Sequence, residues 1–210
     1  MSAKIKNDSR LCILNSAAKL FSKLGIDRTS TRDISKDSNA NISLISYHFG
    51  GKEGLYRQVI KEFALKVQEQ KKPVVDQFLL SEITRESFEK EIQTMVRNMI
   101  NMRVSHPEIS KILAREKLEG MPLSREVHEE IFYPLIQKFY ELFRAAQDKN
   151  IVRKGLDPAV FFLLISESIF GFYEMIECKT SLSQDCSRYI DEPDLFAQQI
   201  LQVLLTGVLV

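Results

Sequence analysis

Along most of this chain apolar residues recur at spacings of three and four, the period of an amphipathic helix. Ile13, Leu14, Ala17, Ala18, Phe21 and Leu24 share one side of a first helix predicted over residues 9–24, and Gly25 is a natural stop. Ser30, followed three positions later by Asp33, is the capping-box pattern with Asp in place of Glu. It starts a short helix over residues 31–38 with Ile34 facing inward. Asn39 tolerates the positive φ of a tight turn. Asn41 is placed to cap a two-turn helix over residues 42–49, and Gly50 and Gly51 end it. Lys52 opens a longer helix with Leu55, Val59, Ile60, Phe63 and Val67 on one side, with Pro73 just beyond it.

The remainder continues in the same period. Phe88, Ile92, Met95, Val96, Met99 and Ile100 form one stripe, and Pro107 begins a short helix through Leu113 and Glu116. After the loop "EGMPL", a long helix is expected over residues 124–148, kinked by Pro134. Asp157 and Pro158 start a helix to about residue 178 that is apolar on nearly every side and must therefore be covered all round. Pro193 opens a last helix with an apolar stripe of Leu195, Phe196, Ile200, Val203, Leu204 and Val208. Strand-like alternation is not evident, so the fold class is all-α.

Composition changes this picture little. Of 210 residues 44% are apolar and 27% charged, which is ordinary for a globular protein. The N-terminus lacks a secretory h-region, and no run reaches the roughly 18 apolar residues of a membrane span. Cys12, Cys178 and Cys186 are too few and scattered for a disulfide framework, so a reducing cytoplasm is expected and no membrane partner. Charge is more informative. Residues 1–70 hold twelve Lys/Arg and seven Asp/Glu, a net of +5, against seventeen and twenty-one in the rest, a net of −4. A polyanion partner for the front of the chain follows.

Three chemistries compete for "NISLISYHFGGKEGLY", residues 41–56. A phosphate-binding P-loop needs a Gly where Ser46 stands, a Ser or Thr where Glu53 stands, and a preceding strand. A nucleophilic site needs a base within hydrogen-bond reach, but Ser43 and Ser46 do not face His48 on one short helix. His48, His106 and His128 have no ligand-spaced Cys or carboxylate. No catalytic residue, metal or cofactor is expected. Two short helices joined by a tight turn and preceded by a helix are the helix-turn-helix arrangement, whose second helix enters a major groove. Ile45 and Phe49 make its inward face. Ile42 and Leu44 suit thymine methyls, while Ser46, Tyr47 and Lys52 suit phosphate oxygens.

The wording "ILNSAAKLFSKLGIDRTSTRDIS" followed by "NISLISYHFGGKEGLY" closely resembles the DNA-binding domain of the TetR/AcrR family of bacterial transcriptional regulators, over about residues 10–60. The resemblance implies that Ser30 and Thr31 touch phosphates and that Ser43, Leu44, Ser46, Tyr47 and His48 form the DNA-contacting face. It also implies that Lys52 meets a phosphate. Ser35, Ser38 and Asn39 depart from the family's usual Ala, Ala and Gly, but all are small or turn-tolerant.

The domains implied are a three-helix DNA-binding domain over residues 1–52, linked by a helix over 52–71 to an effector-binding and dimerisation domain over 72–210. A homodimer suits an operator of paired half-sites. In the resembling family the last two helices make the dimer bundle, so Phe161, Ile165, Ile169, Phe196, Ile200, Val203 and Leu204 are the expected interface. Met99, Met102, Phe132, Phe139, Phe143, Phe162, Phe170 and Tyr173, with Glu116 and Glu167, are the expected lining of a pocket for a small hydrophobic effector. The chain is thus expected to be a ligand-inducible repressor, acting as a homodimer on double-stranded palindromic DNA. The alternative is a constitutive or architectural DNA-binding dimer without an effector.

Overall fold

The computed structural model describes residues 2–78 and 83–210, with side chains over 9–69 and 83–210. The named elements among the described residues are all helices: α1 (Ser2–Arg28), α2 (Thr31–Ser38), α3 (Ser43–Phe49), α4 (Lys52–Phe78), α5 (Arg85–Ser105) and α6 (Pro107–Leu118) come first. They are followed by α7 (Arg125–Val127), a π-helical turn (His128–Phe132), α8 (Tyr133–Asp148), α9 (Pro158–Glu177), α10 (Ser181–Asp185), α11 (Arg188–Asp191) and α12 (Pro193–Val208). They assemble as two compact units, one of Met1–Lys72 with His106–Pro134, the other of Pro73–Ser105 with Leu135–Val210.

The first unit is built on the inward stripes of α1 and α4. Ile13, Ala17, Phe21, Ile34, Ile45, Leu55 and Ile60 are buried together, and Phe21 meets Tyr56 edge-on at 5.0 Å. Burying each such side chain contributes about 1.5–3 kcal/mol. Gly25 breaks the helical geometry of α1 at φ 80. There the Thr29 hydroxyl donates to the Gly25 carbonyl at 2.7 Å, closing the last turn. α6 belongs to this unit rather than to the C-terminal one. Its Ile109 and Ile112 are buried, and Arg115 donates from Nη1 to the Phe21 carbonyl at 2.8 Å. An amphipathic stripe states that a face must be covered but not by which neighbour, so the grouping of α6 is invisible in the periodicity.

Two helix ends depart from the sequence expectation. α4 runs through Pro73 to Phe78 instead of stopping short of it. Proline removes one N–H, but its fixed φ is compatible with a helix, so the helix continues at that cost. The expected helix over residues 124–148 is not a single kinked rod. Ahead of Pro134 it widens into the π turn, with the Tyr133 N–H bonded to the His128 carbonyl. Pro134 has no N–H for the Glu130 carbonyl, and the wider turn takes up the register change.

The second unit packs α5, α8, α9 and α12. Phe88, Ile92, Val96 and Ile100 of α5 bury against Phe139 and Phe143, Phe161, Ile165 and Ile169, and Ile200 and Leu205. Asp157 caps α9 as expected, accepting from Ala159 N at 2.7 Å and Val160 N at 3.1 Å. By length and composition alone α9 could cross a membrane, but its Phe161–Ile165–Ile169 side lies in this core. The chain end is tied in as well. Val152 and Leu209 form an isolated antiparallel bridge, Arg153 N donates to Val208 O at 3.1 Å, and Val210 N donates to Ile151 O at 3.2 Å. Arg85 Nη1 adds a bond to the Val210 carbonyl at 3.0 Å.

Candidate nucleic-acid interface

Each joint of α2–turn–α3 is fixed by a local side chain. The Ser30 hydroxyl accepts from Asp33 N at 3.1 Å, and Asp33 accepts from Ser30 N at 3.1 Å, so the capping box is complete. These bonds hold the Asp33 carboxyl below its usual range. Asn39 adopts the left-handed conformation at φ 52. The Ser35 hydroxyl donates across the turn to Ala40 O at 2.6 Å, so this serine clamps the turn. The Asn41 side chain accepts from Ser43 N at 2.9 Å and from the Ser43 hydroxyl at 2.8 Å. It therefore caps α3, as its position suggests. Gly50, at φ 70, terminates α3 with its N–H on the Ser46 carbonyl.

α3 is held against the rest of the unit by its buried Ile45 and Phe49. Arg10 lies over the Phe49 ring, 5.6 Å from its centroid, and pairs with Glu62 of α4 at 2.8 Å. That bond draws the Glu62 carboxyl below its ordinary value. Both side chains are about a third exposed, so the pair contributes at most about 1 kcal/mol and chiefly fixes geometry.

The outer face is narrower than the sequence implied. Ile42 (41% exposed), Ser43, Ser46 and Tyr47 (72% exposed) present it. Leu44 is half-buried. His48 is flanked by the Tyr47 and Phe49 rings at 4.9 and 6.0 Å, and its Nε2 is buried without a hydrogen-bond partner. Five positions after Ser43 on a helix of 3.6 residues per turn, His48 is carried off the outer face. Ser30 is exposed at the start of α2, and Thr31 is half-buried. Lys52 donates to the Ile26 carbonyl at 2.9 Å, which anchors its ammonium group beside the start of α4. Gly54 was not singled out in the sequence. A Cβ there would stand 1.8 Å from the Phe49 carbonyl oxygen, so the return from α3 into α4 requires glycine.

The residues expected to line an effector pocket are distributed over both units. Glu116 and Phe132 lie in the first unit and the others in the second. Glu116 is buried and accepts from Leu123 N at 3.0 Å and Ser124 N at 2.8 Å, a structural duty. With burial, it holds the neighbouring Tyr56 hydroxyl above its usual range. The Phe132 ring lies 6.5 Å from that of Phe63, tilted against it. Phe139 packs on Phe143 and Phe162 at 5.9 and 5.5 Å, filling the core. Tyr173 is buried, Met99, Met102 and Phe170 are half-buried, and Glu167 is exposed. A groove of about 610 Å³ runs between α5 and α12 past Arg85, Gln93, Arg97, Gln198 and Leu205, and it includes none of them. The residues expected at a dimer interface differ in burial within the single chain. Phe161, Ile165, Ile169, Phe196 and Ile200 are core residues of a single chain, Leu204 is half-buried, and Val203 stands out at 73% exposed.

Capped helices, a clamped turn and an outward polar face define a helix-turn-helix DNA-binding domain. Residues 13–59 match the family described as "Bacterial regulatory proteins, tetR family". It is 28% identical over 115 residues to the probable HTH-type transcriptional regulator YttP of Bacillus subtilis (strain 168). That match covers 55% of this chain and 53% of YttP. It is 29% identical over 139 residues to the HTH-type transcriptional dual regulator CecR of Shigella flexneri, covering 63% and 62%. The chain thus spans between half and two thirds of these curated relatives. In fold it resembles the ketosteroid transcriptional regulator KstR2 of Mycobacterium tuberculosis, with a TM-score of 0.70 at 16% identity over 96% of this chain and 95% of that one. It also resembles FadR of Bacillus subtilis in complex with stearoyl-CoA, with a TM-score of 0.68 at 15% identity over 94% and 98%.

Proposed function

We propose that this protein is a transcriptional regulator of the bacterial cytoplasm, a homodimer that binds a palindromic operator and releases it when a small hydrophobic effector binds. The observation that carries the reading is the fixed presentation of Ile42, Ser43, Ser46 and Tyr47 on a helix of groove-entering size. With its hydroxyl proton on Asn41, Ser43 offers acceptor lone pairs, which suit the amino group of adenine or cytosine. Ile42 suits a thymine methyl. Tyr47 and Lys52 suit the backbone.

The dimer is proposed through the exposed side of α9 and α12. Val160, Leu164 and Met175 fall on one stripe of α9, 56%, 53% and 42% exposed, with Leu163 beside them. Gly171 on that stripe and Gly207, four residues after Val203, have open space where a Cβ would stand, so a second chain can approach closely. Leu164→Glu is expected to convert the dimer to monomer in sedimentation and weaken operator binding at least tenfold, since both half-sites must be held together. A persistent dimer would place the interface elsewhere.

By linkage the effector weakens DNA binding as much as DNA weakens effector binding. That FadR was solved with stearoyl-CoA supports a ligand-responsive body in this fold.

Footprinting on the DNA flanking its own gene tests the whole reading. Tyr47→Ala and Lys52→Ala are expected to weaken all sequences about tenfold. Ser43→Ala should change the preferred base at one position by about 1–3 kcal/mol. Uniform loss from Ser43→Ala would mean that it meets phosphate. Binding should fall steeply with salt. A protected site that no effector releases would favour the constitutive dimer.

A further inference from the structure

Two polar side chains of the second unit, Arg103 and Tyr173, are buried against each other, and only one of them has a hydrogen-bond partner. Arg103, near the end of α5, is 5% exposed, and its guanidinium carbon lies 5.6 Å from the centre of the Tyr173 ring on α9. Its Nη2 donates to Glu177 Oε1 at 2.7 Å. Tyr173 is 6% exposed, and its hydroxyl is buried with no hydrogen-bond partner.

A buried guanidinium requires an anion. Glu177 supplies one, but its side chain is 40% exposed: it is a surface carboxylate reaching in to a buried cation. Tyr173 precedes Glu177 by four residues, so its unused hydroxyl lies on the same face of α9 as the carboxylate that serves Arg103. One carboxylate carries two oxygens. The first matches the guanidinium in place of Glu177, and the second accepts from the Tyr173 hydroxyl. The surroundings are apolar. Met99 lies one turn before Arg103 and Phe170 nearly one turn before Tyr173, both half-buried, and Phe196 meets the Tyr173 ring edge-on at 5.8 Å. A phosphate dianion would bring a second charge into this apolar setting for the same cation, so a monocarboxylate fits better.

We propose that Arg103 and Tyr173 are the head-group site for a monocarboxylic acid with an apolar body, and that Glu177 is a built-in competitor that turns to solvent when the acid binds. This gives the effector of the proposed regulator a chemical class. It rests on that reading only for the consequence at DNA, because binding itself is a property of the protein alone.

Calorimetric titration of the full chain with octanoate and with phenylacetate tests it, with octanol and octyl phosphate as comparisons. Saturable binding of at least one acid and none of octanol is expected. Arg103→Met should weaken it more than tenfold, and Tyr173→Phe about five- to tenfold. Glu177→Gln should tighten it several-fold, the opposite sign from a merely structural glutamate. Tyr173→Phe should leave the melting temperature of the unliganded protein unchanged or raised, because the lost hydroxyl has no partner to miss. Four outcomes would each overturn the proposal: no saturable binding of either acid up to about 5 mM, equal binding of octanol, preferential binding of octyl phosphate, or variants at Arg103 and Tyr173 that bind as the parent does. Acid binding that leaves the operator complex intact would keep the site and overturn the induction reading instead. Failure to bind DNA at all would count against the regulator reading alone.

Discussion

Gly54→Ala is expected to destabilise the DNA-binding unit by about 3 kcal/mol and to abolish operator binding. α3 ends at Phe49, the chain turns through Gly50 at φ 70 and Gly51 at φ 114, and α4 has begun by Lys52. The third residue of α4 then stands over the carbonyl that closes α3. A methyl group at Gly54 would be built 1.8 Å from the Phe49 oxygen, roughly half a normal contact distance. The obstruction is backbone, so no rotamer relieves it. Either α3 or the first turn of α4 has to move, and both carry the proposed DNA contacts. For a unit of about a hundred residues such a loss lowers the melting temperature by roughly 15 °C. Circular dichroism melting of Gly54→Ala against Gly50→Asn separates close approach from turn conformation. Gly50 has open space around it, and asparagine tolerates its left-handed backbone, so that change should be nearly silent. An unaltered Gly54→Ala melt would show that the two helices can part without cost.

Glu116→Leu is the second change with a large expected effect, about 4 kcal/mol lost from the same unit. Glu116 is 2% exposed, and one of its oxygens receives both Leu123 N and Ser124 N, the amides that bring the chain from α6 back into a helix. Leucine fills the space but leaves both amides, and the environment of Tyr56, without an acceptor. Buried donors stripped of their partner lose the full cost of leaving water. Glu116→Gln keeps an acceptor oxygen and should cost about 1–2 kcal/mol. Chemical denaturation gives the energies, and amide exchange at Leu123 and Ser124 gives the place. Fast exchange confined to these two amides in the Leu variant is the expected signature. Protection equal to that of the parent would show that Glu116 does not hold the loop.

These two residues also mark how far the sequence could be read. Ser30, Asn39, Asn41 and Asp157 were legible because a cap or a left-handed turn is decided within three or four residues. The outward positions of α3 followed from the period once Ile45 and Phe49 were fixed as anchors, whereas the half-burial of the His48 ring depends on the rings beside it. Gly54 was obscured by its setting. In "GGKEG" the eye goes to the turn glycines, whereas its requirement is set by an oxygen five residues back. Glu116 showed its burial but not its partners, since backbone amides leave no mark in a sequence. α9 was illegible for a different reason. A helix apolar on every side has no phase, so nothing in it told the core face of Phe161, Ile165 and Ile169 from the outward face of Val160 and Leu164. Arg103 gave no signal at all, being one charged residue in a helix with many.

The antiparallel bridge at the chain end has a practical side. With Val210 N on the Ile151 carbonyl and Arg85 on the carbonyl of Val210 itself, the last residues act as a clasp on the loop between α8 and α9. Amide exchange at Arg153 and Val210 should therefore be slow in the native protein and fast once it is unfolded.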